Sequence, residues 1–183
     1  YFQQAQGQDV TVGFGEARPD DATRELARLP GVLAAESMRI VPARLRFGAR
    51  VEREAVQGLP ARQALYKVYD ASGRALELPP EGLVISSMLA RMLGVQVGDR
   101  ITVEVLEGRR PVTDVPVTAI FETYIGSPAY MEIGALNRLL GEQSAVTAVH
   151  LAIDCNDQAP LFRSLKSLPR IAAVSVKSAA VQT

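Results

Sequence analysis

The chain has little of what most catalytic and metal chemistry uses: its 183 residues include one cysteine, Cys155, and one histidine, His150. A single cysteine excludes an internal disulfide and a cysteine-based zinc site. It does not identify the compartment, because exported domains without disulfides are common. Net charge is also missing. Twenty basic and twenty acidic side chains cancel, so the electrostatic footprint of nucleic-acid binding is absent. There are no lysine-rich runs, and the arginines (Arg24, Arg28, Arg39, Arg44, Arg46 and Arg50 among them) are scattered as on a solvated surface. Apolar stretches such as residues 146–153 fall far short of the ~20 residues of a membrane span. No secretory signal pattern is visible. The expectation is a soluble domain, or a soluble piece of something larger. Tyr1-Phe2-Gln3 matches part of a protease-tag sequence and could equally be native, so the first residues carry no weight in the fold reading.

What is present is a core. Apolar residues make up 48 % of the chain, which excludes wholesale disorder and suits one or two small domains. Residues 9–14 alternate, with Val10, Val12 and Phe14 on one face, as a strand does. Pro19, Asp20 and Asp21 signal a helix start. Ala22, Leu26 and Leu29 then recur at helical spacing, Pro30-Gly31 stops the helix, and residues 32–38 form a second strand. The end of the chain repeats this plan. Residues 146–153 form a strand. Asp154, Asn156 and Asp157 are cap candidates. Leu161, Leu165 and Leu168, widened by Phe162, mark a helix that Pro169 closes, and residues 171–176 form the last strand. Two such units combine naturally as a split βαβ arrangement, each laying its helix on one face of a four-stranded antiparallel sheet. The expected fold class is α+β. A split βαβ-repeat (ferredoxin-like) base comprises residues 9–40 plus 131–177, and a β-rich subdomain of residues 41–130 is inserted. In that arrangement the first strand starts, and the last strand ends, at one edge of the sheet.

The middle reads mainly as β. Ala43, Leu45 and Phe47 alternate with Arg44 and Arg46, and Gly48-Ala49-Arg50 reads as a three-residue turn. That register sets Arg46 opposite Glu52 and Arg44 opposite Glu54. A second turn lies at Asp70-Ala71-Ser72-Gly73. A short strand over residues 82–85 leads to Ser86 or Ser87 as an N-cap. A helix lined by Met88, Leu89, Met92 and Leu93 follows and ends at Gly94. Ile101, Val103 and Val105 alternate, Gly108-Arg109-Arg110 turns the chain into a strand over residues 112–121, and residues 134–140 form a short helix closed by Gly141.

The search for chemistry yields no catalytic, cofactor-binding or metal residues. Strand parity puts His150 with Val146, Ala148 and Ala152. Cys155 is on the other face and about 16 Å along at ~3.3 Å per residue, too far for a dyad. One histidine and scattered carboxylates do not make a metal site. Gly13-Phe14-Gly15 lacks the rest of a dinucleotide fingerprint, and Ser86, Ser87 and Ser127 lack a nucleophile elbow. Asp20-Asp21 and Glu52/Glu54 have structural roles as cap and cross-strand pair. Gly98-Asp99, between a helix stop and an alternating strand, is a turn that unrelated small β-barrels also use. The loop Tyr124-Ile125-Gly126-Ser127-Pro128-Ala129-Tyr130-Met131 is a candidate partner-contact surface through Tyr124, Ile125, Ser127 and Tyr130. It reads equally as a packed crossing between subdomains.

Four stretches together resemble a known family. They are Gln8-Asp9-Val10-Thr11-Val12; Leu29-Pro30-Gly31-Val32 followed by Glu36 and Arg39; Leu93-Gly94-Val95 through Gly98-Asp99; and Ala129-Tyr130-Met131 followed by Leu136-Asn137. In order and spacing they are similar to the extracytoplasmic domain of FtsX-like ABC-transporter permeases, the MacB-like periplasmic core domain. The resemblance implies a large domain between the first two of four membrane helices, with a βαβ-repeat base and a β-rich insert. It implies a bacterial permease working as a dimer with a cytoplasmic ABC ATPase subunit. ATP-driven motion would pass to the extracytoplasmic side, where the domain meets a substrate, a lipoprotein or another protein. It carries over no catalytic residue and no cofactor, so the chain is expected not to be an enzyme. Two other readings stand beside it: a free-standing small-ligand-binding module built around the Tyr124 loop, and an enzyme with a β-barrel subdomain.

Overall fold

The computed structural model describes residues 7–154, 156, 158–168 and 170–177. Among these the fold is mixed α/β, with nine strands and four helices. Two compact units divide it. The first holds the described parts of Tyr1–Met38 and Ala145–Thr183, together with Ala64–Tyr66; the second holds Arg39–Gln63 and Lys67–Ser144. The sequence reading placed residues 131–144 in the base. They pack in the second unit instead, because Met131, Ala135, Leu136 and Leu140 belong to its core.

In the first unit, strand β1 (Gly7–Pro19) leads to helix α1 (Asp21–Ala27) and the first part of β2 (Val32–Phe47). β8 (Ala145–Asp154), α4 (Gln158–Lys166) and β9 (Ile171–Lys177) complete it. The sheet order is β2-β8-β1-β9, with each neighbouring pair antiparallel. Asp9 pairs with Lys177, so the start of β1 and the end of β9 are neighbours. Val10, Val12, Val149, Leu151 and Ile153 are fully buried, as are Leu161 and Leu165 of α4, and Leu26 of α1 is buried beside them. Burial of each such side chain stabilises the fold by about 1.5–3 kcal/mol. Leu168 is 40 % exposed and lies beyond the helix. The Asp20 side chain does not cap α1. Its carboxylate accepts a hydrogen bond from Ser37 Oγ at 3.0 Å and so ties the helix start to β2. Asp154 accepts one from the Asn156 amide at 3.0 Å, while Asp157 and Pro169 lie outside the described residues.

The second unit begins at Arg39 of β2, followed by β3 (Arg50–Leu59), β4 (Leu83–Ser86) and α2 (Ser87–Leu93). β5 (Arg100–Val105), β6 (Val112–Phe121), β7 (Ala129–Glu132) and α3 (Ile133–Leu139) follow. Its ladders form a ring: β2 pairs β3 and β5, β5 pairs β6, β6 pairs β4, β4 pairs β7, and β7 returns to β3. The result is a small six-stranded barrel, in which closure removes exposed sheet edges. Ala43, Leu45, Ile85, Ile101, Val103 and Val105 fill it, each with 0 or 1 % exposure. Ser86 caps α2 by accepting from the Leu89 amide at 3.2 Å, and Gly94 ends the helix. Met88 does not line the core; it is 46 % exposed.

The β2–β3 hairpin differs from expectation. Phe47 pairs with Arg50, so Gly48-Ala49 alone forms the turn. Gly48 takes φ +60, the positive value that a two-residue turn with glycine first requires. This register sets Arg44 opposite Arg53 and Leu45 opposite Glu52. The expected Arg44–Glu54 and Arg46–Glu52 pairs do not form. Arg44 and Arg46 instead meet Glu104 of β5 at 3.4 and 3.8 Å.

Gly82, before β4, has φ +92, and a Cβ there would overlap Thr118 Cγ2 and come within 3.0 Å of the Pro116 carbonyl. At Gly48 a Cβ would meet nothing within 4 Å. Gly48→Ala should therefore cost only the positive-φ strain, about 1–2 kcal/mol. Gly82→Ala adds a clash with the Thr118 side chain and a tight approach to the Pro116 carbonyl, and should cost about 2 kcal/mol more. Denaturant unfolding of the two variants checks the order; equal losses would refute the close approach at Gly82.

Candidate functional site

The loop between β6 and β7 is fixed at its base and open at its tip. At the base Phe121 and Tyr130 are both 7 % exposed, with ring centroids 5.8 Å apart. The Ser86 amide donates to the Pro128 carbonyl at 3.1 Å, and Ser87 Oγ donates to Glu122 Oε2 at 2.8 Å. Ser127 Oγ donates to the Glu54 carboxylate. At the tip Tyr124 and Ile125 are 87 and 85 % exposed. Tyr124 keeps one tether, its hydroxyl donating to the Ala71 carbonyl at 3.3 Å, and the Ala71 amide donates to the Glu122 carbonyl at 2.8 Å. Of the four residues singled out from sequence, Tyr124 and Ile125 present a surface. Ser127 braces the loop, and Tyr130 belongs to the interior, because strand β7 pairs on both sides and turns its ring inward. A tip this exposed projects outward rather than lining a deep pocket.

The Asp70 turn supports the tip. Asp70 Oδ1 accepts from Ser72 Oγ at 2.6 Å and from the Ser72 and Arg74 amides at 2.9 and 3.0 Å. Exposed Tyr69 immediately precedes it and pairs with Ala75.

His150 lies within the first unit, 7 % exposed, in a packed polar row. Its Nδ1 is 2.9 Å from Thr11 Oγ1, its Nε2 is 3.1 Å from Met38 Sδ, and Tyr66 stacks on the ring at a centroid distance of 4.5 Å. Cys155 lies outside the described residues. Next to His150 in register, Glu36 of β2 accepts from three successive amides, Ala64, Leu65 and Tyr66, at 2.6, 3.2 and 3.2 Å. A carboxylate satisfied by backbone donors in this way anchors the 64–66 segment against the sheet. The sequence held one sign of this: Glu36 is the only carboxylate in β2. Among the described residues no three of His, Cys, Asp and Glu gather where they could hold a metal ion.

No protein-family profile and no curated protein matches the chain. Solved structures do, and they define a class: the fold is that of extracytoplasmic domains of ABC-type transporters. The periplasmic region of MacB from Actinobacillus actinomycetemcomitans aligns with a TM-score of 0.57 at 10 % identity, over 94 % of this chain and 88 % of that one. The extracellular domain of the noncanonic ABC-type transporter YknZ from Gram-positive bacteria aligns with a TM-score of 0.55 at 13 % identity, over 94 % of this chain and 100 % of that one. The MacB-like resemblance read from sequence thus holds at the level of fold. No helix among the described residues is long and apolar enough to cross a membrane.

The hydrogen bond from Ser72 Oγ, then that from the Arg74 amide, holds the Asp70 carboxyl below its ordinary value of 3.8. With the folded value lowered, the stabilisation it gives the turn is complete above the unfolded value and is lost as pH falls through the folded one. An NMR titration should find Asp70 titrating below 3.8, and Ser72→Ala should move it upward. A midpoint insensitive to Ser72→Ala would contradict this account.

Proposed function

We propose that the chain is the extracytoplasmic domain of a bacterial ABC-transporter permease. In this reading it passes ATP-driven motion outward and contacts a substrate or an extracytoplasmic protein or lipoprotein. The observation that carries it is the extent of the fold likeness, which spans 94 % of this chain and nearly the whole of both transporter domains. The β2-β8-β1-β9 order supports a split βαβ (ferredoxin-like) base, with the barrel as its insert. The Asp9–Lys177 pairing supports the mounting, since it lets both ends leave from one place towards two neighbouring membrane helices. The cytoplasmic ATPase and a second permease copy would meet the full-length protein rather than this domain. Transmission, not catalysis, is the role assigned.

The partner contact is assigned to Tyr124 and Ile125, whose exposed apolar area stands on a braced loop. Exposed aromatic anchors on rigid supports are the side chains that carry binding energy at interfaces. Tyr124→Ser with Ile125→Ser in the full-length permease should change unfolding stability by less than about 0.5 kcal/mol. The ATPase should still co-purify, while transport or partner activation falls at least about tenfold. Unimpaired function in the double variant would remove the loop from the mechanism.

A further inference from the structure

β1 leaves its partner β8 partway along. Gly13 pairs with Ala148 and Arg18 with Val146, so residues 14–17 lie opposite Thr147 alone. On its other side the β1–β9 ladder stops at Phe14 and Ile171. Bulges of this kind bend a strand and re-aim its side chains, often beside a site. Here the bulge borders a cavity of about 230 Å³ within the first unit. Phe14, Ala22, Leu26, Leu168 and Ile171 form its apolar lining, and Leu26 is the most buried of them. The charged lining residues are Arg18, Arg170 and Glu25. Neither arginine makes an ion pair with a described residue. Among the described lining residues, two guanidiniums stand against one carboxylate at an apolar hollow.

We propose that this cavity binds a short apolar group carrying a carboxylate. The apolar group packs on Phe14, Leu26 and Ile171, and the carboxylate is held by Arg18 and Arg170. Guanidinium donors match a carboxylate in geometry as well as charge. The volume is below the roughly 300–1,000 Å³ of pockets for drug-sized ligands, so it admits one leucine-sized or hexyl-sized group. Two sources share this chemistry: the C-terminus of a peptide ending in an apolar residue, and a free short-chain acid. The site is separate from the Tyr124 loop and does not depend on the transporter reading.

Amide NMR titration of the full chain tests the proposal with hexanoate, hexanol, and the peptide Gly-Gly-Ser-Leu as its free acid and as its amide. The acids should shift the Phe14, Leu26 and Ile171 amides, and their neutral counterparts should bind about tenfold more weakly. Arg18→Gln and Arg170→Gln should each weaken acid binding about tenfold. Glu25→Gln should tighten it, a gain that misfolding cannot mimic. Binding of the peptide acid alone assigns the site to protein C-termini, and binding of hexanoate alone assigns it to free acids. Absence of shifts at these amides, equal binding of charged and neutral probes, or affinities unmoved in the three variants would overturn it.

Discussion

Everything in the first unit rests on β1 pairing along both edges, with β8 on one side and β9 on the other. The partners are remote in sequence: Thr11 and His150, in hydrogen-bond contact, are 139 residues apart. Closing so long a loop costs entropy before any contact repays it. The return comes from Val10 and Val12, which lock against Val149 and Leu151 with no exposed surface. α1 packs on β8 and β1 and α4 on β9, so loss of either β1 ladder would remove part of their support. The same strand then bulges at residues 14–17, where the cavity opens. One strand thus sets the sheet order, the neighbouring positions of Asp9 and Lys177, and the proposed ligand site.

Two buried charges sit near the point where β2 passes from one unit to the other, and each is paired within its own unit, Glu36 fully and Arg39 through one nitrogen only. Glu36 accepts three backbone amides of the 64–66 segment. Arg39, 2 % exposed, donates through Nη2 to Glu107 and Glu142 at 3.3 and 3.2 Å, while its Nε and Nη1 have no hydrogen-bond partner. Removing the 64–66 amides from Glu36, or both Glu107 and Glu142 from Arg39, would leave a buried charge unpaired, which costs more than the pair itself contributes. That asymmetry is a physical reason for both side chains to stand where the sequence resemblance found them.

The regular elements were legible because period and punctuation agreed. Val10 and Val12, Leu161 and Leu165, and Ala43 and Leu45 are buried as their spacing indicates. Turn register was less legible. One residue more or less at Gly48-Ala49-Arg50 moves every arginine to a new partner, and only the β5 ladder decides that Glu104 receives them. Residues 131–144 read as base because α3 follows a strand, yet α3 packs against the barrel core through Leu136. The barrel itself depends on the parallel β3–β7 and β4–β6 pairs, which join strands far apart in the chain and have no local signature. At the candidate loop, Tyr124 and Tyr130 look alike in sequence. Only strand pairing distinguishes the exposed ring from the buried one.

Thiol labelling of the full-length protein in spheroplasts tests the central claim most directly, with every native cysteine, Cys155 included, replaced by serine as background and Tyr124→Cys as the reporter. Tyr124 is 87 % exposed, so labelling there reports which side of the membrane the domain faces. A membrane-impermeant maleimide should modify the introduced cysteine in intact spheroplasts as fully as after permeabilisation. Labelling that appears only once the membrane is broken would place the domain inside the cell and contradict the account.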